Sequence, residues 1–106
     1  MNEEARILDL AAEWHGQGEA VALATLIAAW GSSPCPVGSM MAVSGRSRVA
    51  GSVSGGCVES AVIDAALEVI RSGEPRRLSF DVSDQSAFAF GLPCGGGLQV
   101  YVERLA

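Results

Sequence analysis

The sequence predicts an α/β fold: a single small domain built on a mixed sheet of about five strands, with an N-terminal helix and a second helix crossing between the third and fourth strands. Three observations carry this. Two segments repeat apolar residues at helical spacing, and several strand-sized apolar segments are bracketed by glycine and proline. The third is size: 106 residues with 49% hydrophobic content suit one core, since a chain of this length buries roughly 60–70% of its extended surface.

In the first segment Ile7, Leu10, Ala11 and Trp14 fall at i, i+3, i+4 and i+7, which makes one apolar stripe on a helix. Asn2 can cap it, Glu3 and Glu4 suit its positive end, and Gly16 and Gly18 stop it. Val21 to Trp30 is apolar on both faces, so periodicity alone does not separate a buried strand from a buried helix. The glycines before it and the Gly31–Pro36 segment after it bracket a strand-sized piece, which reads as a central strand. Met40–Ser44 and Arg48–Val53 read as a hairpin turning through Gly45-Arg46, with glycine taking the positive φ of a two-residue turn. A helix from about Cys57 to Ser72 follows, ended by Gly73 and Pro75. Its apolar residues cover most of its circumference and leave Ser60, Asp64, Glu68 and Arg71 as a narrow polar strip, so packing on more than one side is expected. Two alternating strands complete the sheet, one with Leu78, Phe80 and Val82 on a face, the other with Leu98, Val100 and Val102. Arg76 and Arg77 begin the first of these as a solvated end, although Arg is also the available anion binder in a chain without Lys. Ser83 to Gly97 between them is a long loop, a length that usually signals function or disorder.

Composition excludes several function classes. Seven Arg, no Lys and twelve acidic residues give a net charge of −5, which offers no basic stripe for a nucleic acid backbone. The longest apolar run, Val21–Trp30, is about half a membrane span, and the acidic N-terminus lacks the basic start of a signal peptide. A cytoplasmic protein is expected. Cys35, Cys57 and Cys94 are odd in number and form no Cys-x-x-Cys pair, so a disulfide framework is not their purpose.

Chemistry concentrates in two glycine-rich stretches, Gly51-Ser52-Val53-Ser54-Gly55-Gly56-Cys57-Val58-Glu59 and Gly91-Leu92-Pro93-Cys94-Gly95-Gly96-Gly97. The first runs from a strand into a helix start, where free backbone N–H groups and the helix dipole favour an anion such as phosphate; a tight turn that needs glycine explains it equally well. Neither Gly-x-Gly-x-x-Gly nor a lysine-bearing phosphate loop is present. Cys57 falls at the first helical turn, where the dipole favours a thiolate, and glycines leave both Cys57 and Cys94 accessible. Soft thiolates suit a thiophilic centre, though three scattered Cys and His15 lack the spacing of a zinc site. Glu59 begins the apolar face of its helix, about 100° or more from the polar strip. It is either half of a capping box that reaches back to Gly56, or a partly buried acid beside Cys57. Asp81, Asp84, Gln85 and Ser86 either hydrogen-bond a heterocycle or cap a short turn, the second being the commoner use, Phe88 and Phe90 read as a satellite core or a lid, and Cys35 as a spectator.

In chain order, Trp30-Gly31-Ser32-Ser33-Pro34-Cys35-Pro36-Val37-Gly38 and the two glycine-rich stretches resemble the XdhC/CoxI family over nearly the whole chain. Those proteins are maturation factors for molybdenum hydroxylases such as xanthine dehydrogenase and carbon monoxide dehydrogenase, and many continue into a second, dinucleotide-binding-like domain. The resemblance implies an accessory chaperone rather than an enzyme. Such a chaperone binds the molybdenum cofactor (molybdopterin), protects it and delivers it to an apo molybdenum hydroxylase, with a cysteine desulfurase as a further partner. Ser54, Gly55, Gly56, Cys57, Glu59, Cys94, Gly95 and Gly96 are the implied cofactor-binding residues, with Cys57 and Cys94 directed at the metal or its sulfur ligands. Two alternatives stand beside it: a sulfur-transfer or redox enzyme using the Cys57 thiol, and a cofactor-free interaction module that docks through its Phe-containing loop. Small open sheets leave edges, so a homodimer through a terminal strand or the hairpin is also expected.

Overall fold

Two helices lie on opposite faces of a five-stranded sheet. The computed structural model describes residues 3–31, 35–55, 58–81 and 97–105. The elements run α1 (Glu3–Gly16), β1 (Val21–Trp30), β2 (Met40–Ser44), β3 (Val49–Gly51), α2 (Glu59–Ser72), β4 (Arg76–Asp81) and β5 (Gly97–Arg104). The strand order is β3-β2-β1-β5-β4.

Five strands, the N-terminal helix and the crossover helix are as expected, but every pair in the sheet is antiparallel rather than mixed. The crossover explains the difference. β3 and β4 run in the same direction, yet α2 carries the chain from one edge of the sheet to the other, so these two strands never become neighbours.

β1 lacks alternation because it is central and covered twice. Val21 and Leu23 pack with Ile7, Ala11 and Trp14 of α1 in a smaller core, whereas Ala22, Ala24 and Leu26 join the larger core under α2. In α2, Val62, Ala65, Ala66 and Val69 are buried, and complete burial of Val62 or Val69 contributes roughly 1.5–3 kcal/mol each. Packing on more than one side is not seen among the described residues. Ala61, Ile63, Leu67 and Ile70 are flanks, half-buried against the same core, and Ser60, Asp64, Glu68 and Arg71 are exposed. The helix stops at Gly73, whose left-handed φ of 78° lets its N–H reach the Val69 carbonyl at 2.8 Å. On β4 and β5, Leu78, Phe80, Leu98, Val100 and Val102 face the larger core as the alternation predicts, and Arg76 and Arg77 are exposed.

The hairpin differs in detail. The positive φ belongs to Ser47 (64°), not Gly45, and the loop has three residues, because Ser44 N–H donates to the Arg48 carbonyl and Ser47 N–H to the Ser44 carbonyl, both at 2.9 Å. Buried Ser44 selects this turn, its hydroxyl oxygen accepting from the N–H groups of Arg46 (3.2 Å) and Arg48 (3.1 Å). Arg48 then ties the hairpin to the α1–β1 connection, donating to buried Glu19 at 2.7 Å and lying 4.8 Å from the Trp14 ring centroid. Burial acts to raise the Glu19 carboxyl, but hydrogen bonding with Ser44 and Arg48 and the charges of Arg48 and Arg46 hold it below the ordinary value. β3 ends at Gly51, earlier than the expected Val53, because a φ of 84° turns the chain out of the ladder.

Candidate functional site

The sheet directions place the sequence motifs. Trp30 at the end of β1, Met40 at the start of β2, Gly51 at the end of β3, Asp81 at the end of β4 and Gly97 at the start of β5 all fall at one end of the sheet, and Glu59 at the start of α2 follows directly from β3. The connections carrying the three motifs therefore leave from this end. The α1–β1 turn, the β2–β3 hairpin loop and the α2–β4 turn occupy the other. Gly51 and Gly97 stand three strand positions apart, roughly 14 Å at normal strand spacing. Trp30 pairs with Gly97 across β1 and β5, and a Cβ on Gly97 would lie 2.6 Å from the Trp30 ring, so the glycine makes room for the indole.

The segment between β3 and α2 is organised by Glu59. One of its carboxylate oxygens, Oε2, accepts from the Ser52 hydroxyl and from the N–H groups of Val53 and Ser54, both at 3.0 Å. The other, Oε1, accepts from the Ser54 hydroxyl. Burial by itself acts to raise this carboxyl, but the hydrogen bonds from Ser52, Ser54 and Val53 outweigh it and lower the pKa to about 2. The serines also receive bonds: Gly55 N–H donates to Ser52 Oγ at 2.9 Å, and Val58 N–H donates to Ser54 Oγ at 3.0 Å.

This arrangement changes the expected roles. Glu59 is the first residue of α2, and Val58 before it carries no side-chain cap bond, so the geometry of a capping box with Glu59 as third helical residue does not arise. The carboxylate reaches back further, to Ser52–Ser54. The N–H groups of Ser54 and Gly55, expected to be open to an external anion, are used inside the loop, as are those of Val53 and Val58. The loop carries its own anion. Ser52 was absent from the predicted site, although a serine two residues before Ser54 in a strand-to-helix turn is the available signal.

Gly56, Cys57, Cys94, Gly95 and Gly96 lie outside the described residues, as do Asn2, Val82, Asp84, Gln85, Ser86, Phe88 and Phe90. On either side of the Gly56–Cys57 step the chain is anchored, at Gly55 through Ser52 and at Val58 through Ser54. Cys35 is half-buried and packs against the larger core, while His15 is exposed at the end of α1. Among the described residues no group of three or more His, Cys, Asp or Glu side chains is placed to hold a metal, and no helix is long and apolar enough to cross a membrane.

Comparison with known proteins adds to this geometry. The chain is 37% identical over 99 residues to the molybdenum cofactor insertion chaperone PaoD of Escherichia coli (strain K12), covering 93% of this chain and 31% of that protein. It is 29% identical over 93 residues to the uncharacterized protein YqeB of the same organism, covering 88% of this chain and 17% of that one. A crystal structure titled as a xanthine dehydrogenase from Bacillus halodurans superposes with a TM-score of 0.79 at 28% identity, over 100% of this chain and 31% of that one. The chain thus spans less than a third of the length of each of these three proteins. The model of the XdhC and CoxI family matches residues 14–81, and the chain belongs to that family.

Proposed function

We propose that this chain is a molybdenum-cofactor-binding maturation factor that protects the cofactor and passes it to an apo molybdenum hydroxylase of the xanthine or carbon monoxide dehydrogenase type. The observation that supports it best is the departure of three motif-bearing connections from one end of the sheet, in a chain 37% identical to a molybdenum cofactor insertion chaperone. Loops presented by a rigid scaffold are where binding residues concentrate.

The donor chemistry fits such a ligand. Exposed Gly55 brings bare backbone to the surface beside the Gly56–Cys57 step, and the thiols of Cys57 and Cys94 suit a soft metal or its sulfur ligands. Gly56, Gly95 and Gly96 carry no side chain to block the approach of a ligand to the backbone. Ser54 and Glu59 are positioning residues in this reading: they hold the chain on both sides of Cys57 and do not touch the ligand. When bound, the cofactor supplies the redox-active molybdenum centre that the hydroxylase requires, and this chain carries it without turnover. A cysteine desulfurase is the further partner for sulfuration.

Anaerobic titration with isolated molybdenum cofactor, followed by gel filtration and absorbance of the protein peak, tests the reading. Wild type is expected to retain cofactor, and Cys57→Ser and Cys94→Ser each to weaken retention. A wild-type chain that retains none, or two variants that retain as much as wild type, overturns the proposed site.

A further inference from the structure

The first motif, which begins at Trp30, supplies no residue to the proposed site, yet its indole has an unusual setting. Trp30 belongs to neither core and is 41% exposed. It is nevertheless held in place. Trp30 pairs with Gly97 across β1 and β5, and its Cζ2 and Cε2 lie 2.6 and 2.9 Å from where a Gly97 Cβ would sit, so one side of the indole rests on bare β5 backbone. Glycine weakens a strand, and its use here marks this close approach. Two features leave the rest of the ring exposed. β2 pairs with β1 only as far as Thr25, and Gly31, with a φ of 73°, turns the chain out of β1 directly after the indole. Strand alternation puts Trp30 and Gly97 on the face opposite Ala29 and Leu98, which pack with the larger core, while the α1 core takes Val21 and Leu23 from this strand. Trp30 and Gly97 are also the points where the connections carrying the first and third motifs leave and rejoin the sheet.

We propose that Trp30 is a cofactor-binding residue, on whose exposed indole the pterin ring of the molybdenum cofactor stacks. The inference rests on the proposed function and adds to it the part of the ligand that thiols and glycines do not address. Pterin is a flat, fused two-ring heterocycle, and an indole of matching size offers it an offset-stacked partner. A ring already held against the backbone gives up little freedom when the ligand arrives. The two ends of the cofactor then go to different chemistry, the soft metal end to sulfur and the heterocycle to the indole. Cys94 stands only three residues before Gly97 in the sequence, so both ends address neighbouring points of the chain.

Fluorescence of the wild-type chain tests this directly. Trp14 and Trp30 are its two tryptophans, and Trp14 is 4% exposed, so acrylamide quenches Trp30 selectively. In an anaerobic titration with isolated molybdenum cofactor, the acrylamide-accessible part of the emission is expected to disappear as cofactor binds. Two variants separate stacking from apolar bulk. Trp30→Leu keeps the bulk without the ring and is expected to raise the cofactor Kd about tenfold or more, whereas Trp30→Tyr keeps a ring and stays within about threefold of wild type. Far-UV circular dichroism and urea midpoints confirm that both variants are folded; the wild-type quenching decides the matter if either is not. A wild-type chain that retains cofactor on gel filtration with its acrylamide-accessible emission unchanged overturns this inference alone. So does a folded Trp30→Leu that binds as tightly as wild type, or an equal loss in the Leu and Tyr variants. A wild-type chain that retains no cofactor overturns the proposed function and this inference with it.

Discussion

Glu59 does its work as a carboxylate that replaces an external anion. Four hydrogen bonds from Ser52, Val53 and Ser54 converge on it at the start of α2, where negative charge also suits the helix dipole. Its pKa falls from an ordinary 4.5 to about 2, so the folded state favours the ionised form more than the unfolded chain does. The stabilisation is therefore complete above pH 4.5 and is lost as pH falls from there toward 2. Glu59→Gln is expected to lose on the order of 1–2 kcal/mol at neutral pH, allowing for solvent screening of a partly exposed group. It should also flatten the dependence of urea midpoints on pH over that window, which equilibrium denaturation at a series of pH values measures. The residue was legible in the sequence because helical spacing puts a charge on the apolar side. Its partners were not, since Ser52 and Ser54 meet it only after the chain has turned at Gly55, a path that no periodicity encodes.

At the level of elements, the two glycines that end β3 and α2 make a contrast that separates dihedral cost from collision. Gly73 has a φ of 78°, and among the described residues only Arg104 Nη1 is nearby, 3.8 Å from where a Cβ would lie. Gly51 has a φ of 84°, and its Cβ would fall 2.3 Å from the Met40 carbonyl oxygen and 2.9 Å from Ile7 Cδ1. Gly73→Ala is expected to cost about 1 kcal/mol, and Gly51→Ala at least about 3 kcal/mol, because the second must also displace a strand backbone. Urea denaturation followed by circular dichroism checks both. The boundaries of β1, β2 and the C-terminus of α2 follow closely from apolar runs and glycine stops. The hairpin loop does not. Its form depends on the Ser44 hydroxyl, a side-chain acceptor that only the folded turn brings to the N–H groups of Arg46 and Arg48.

For the whole molecule, the sheet divides the interior into two layers. Ile7 belongs to the α1 layer and Val62 to the α2 layer, on opposite faces with the backbone of the sheet between them. Ile7→Ala is expected to cost about 2–4 kcal/mol and Val62→Ala about 1.5–3 kcal/mol. Their effects should add within about 0.5 kcal/mol, because the sites share no contact; a double-mutant cycle measures this. A larger coupling energy would mean that the two layers are not energetically separate. What the sequence by itself determined was local: which segments are apolar on one face or two, where glycine and proline stop them, the motifs of the family, and the odd position of Glu59. Periodicity and turn chemistry act over a few residues, so those features survive in a one-dimensional reading. Only the tertiary structure decided the wholly antiparallel pairing, the gathering of motif-bearing connections at one end of the sheet, and the use of the Ser54 and Gly55 N–H groups inside their own loop. Each depends on which strands become neighbours and on the hydrogen bonds a buried backbone must complete, and both are set by contacts between residues far apart in the chain.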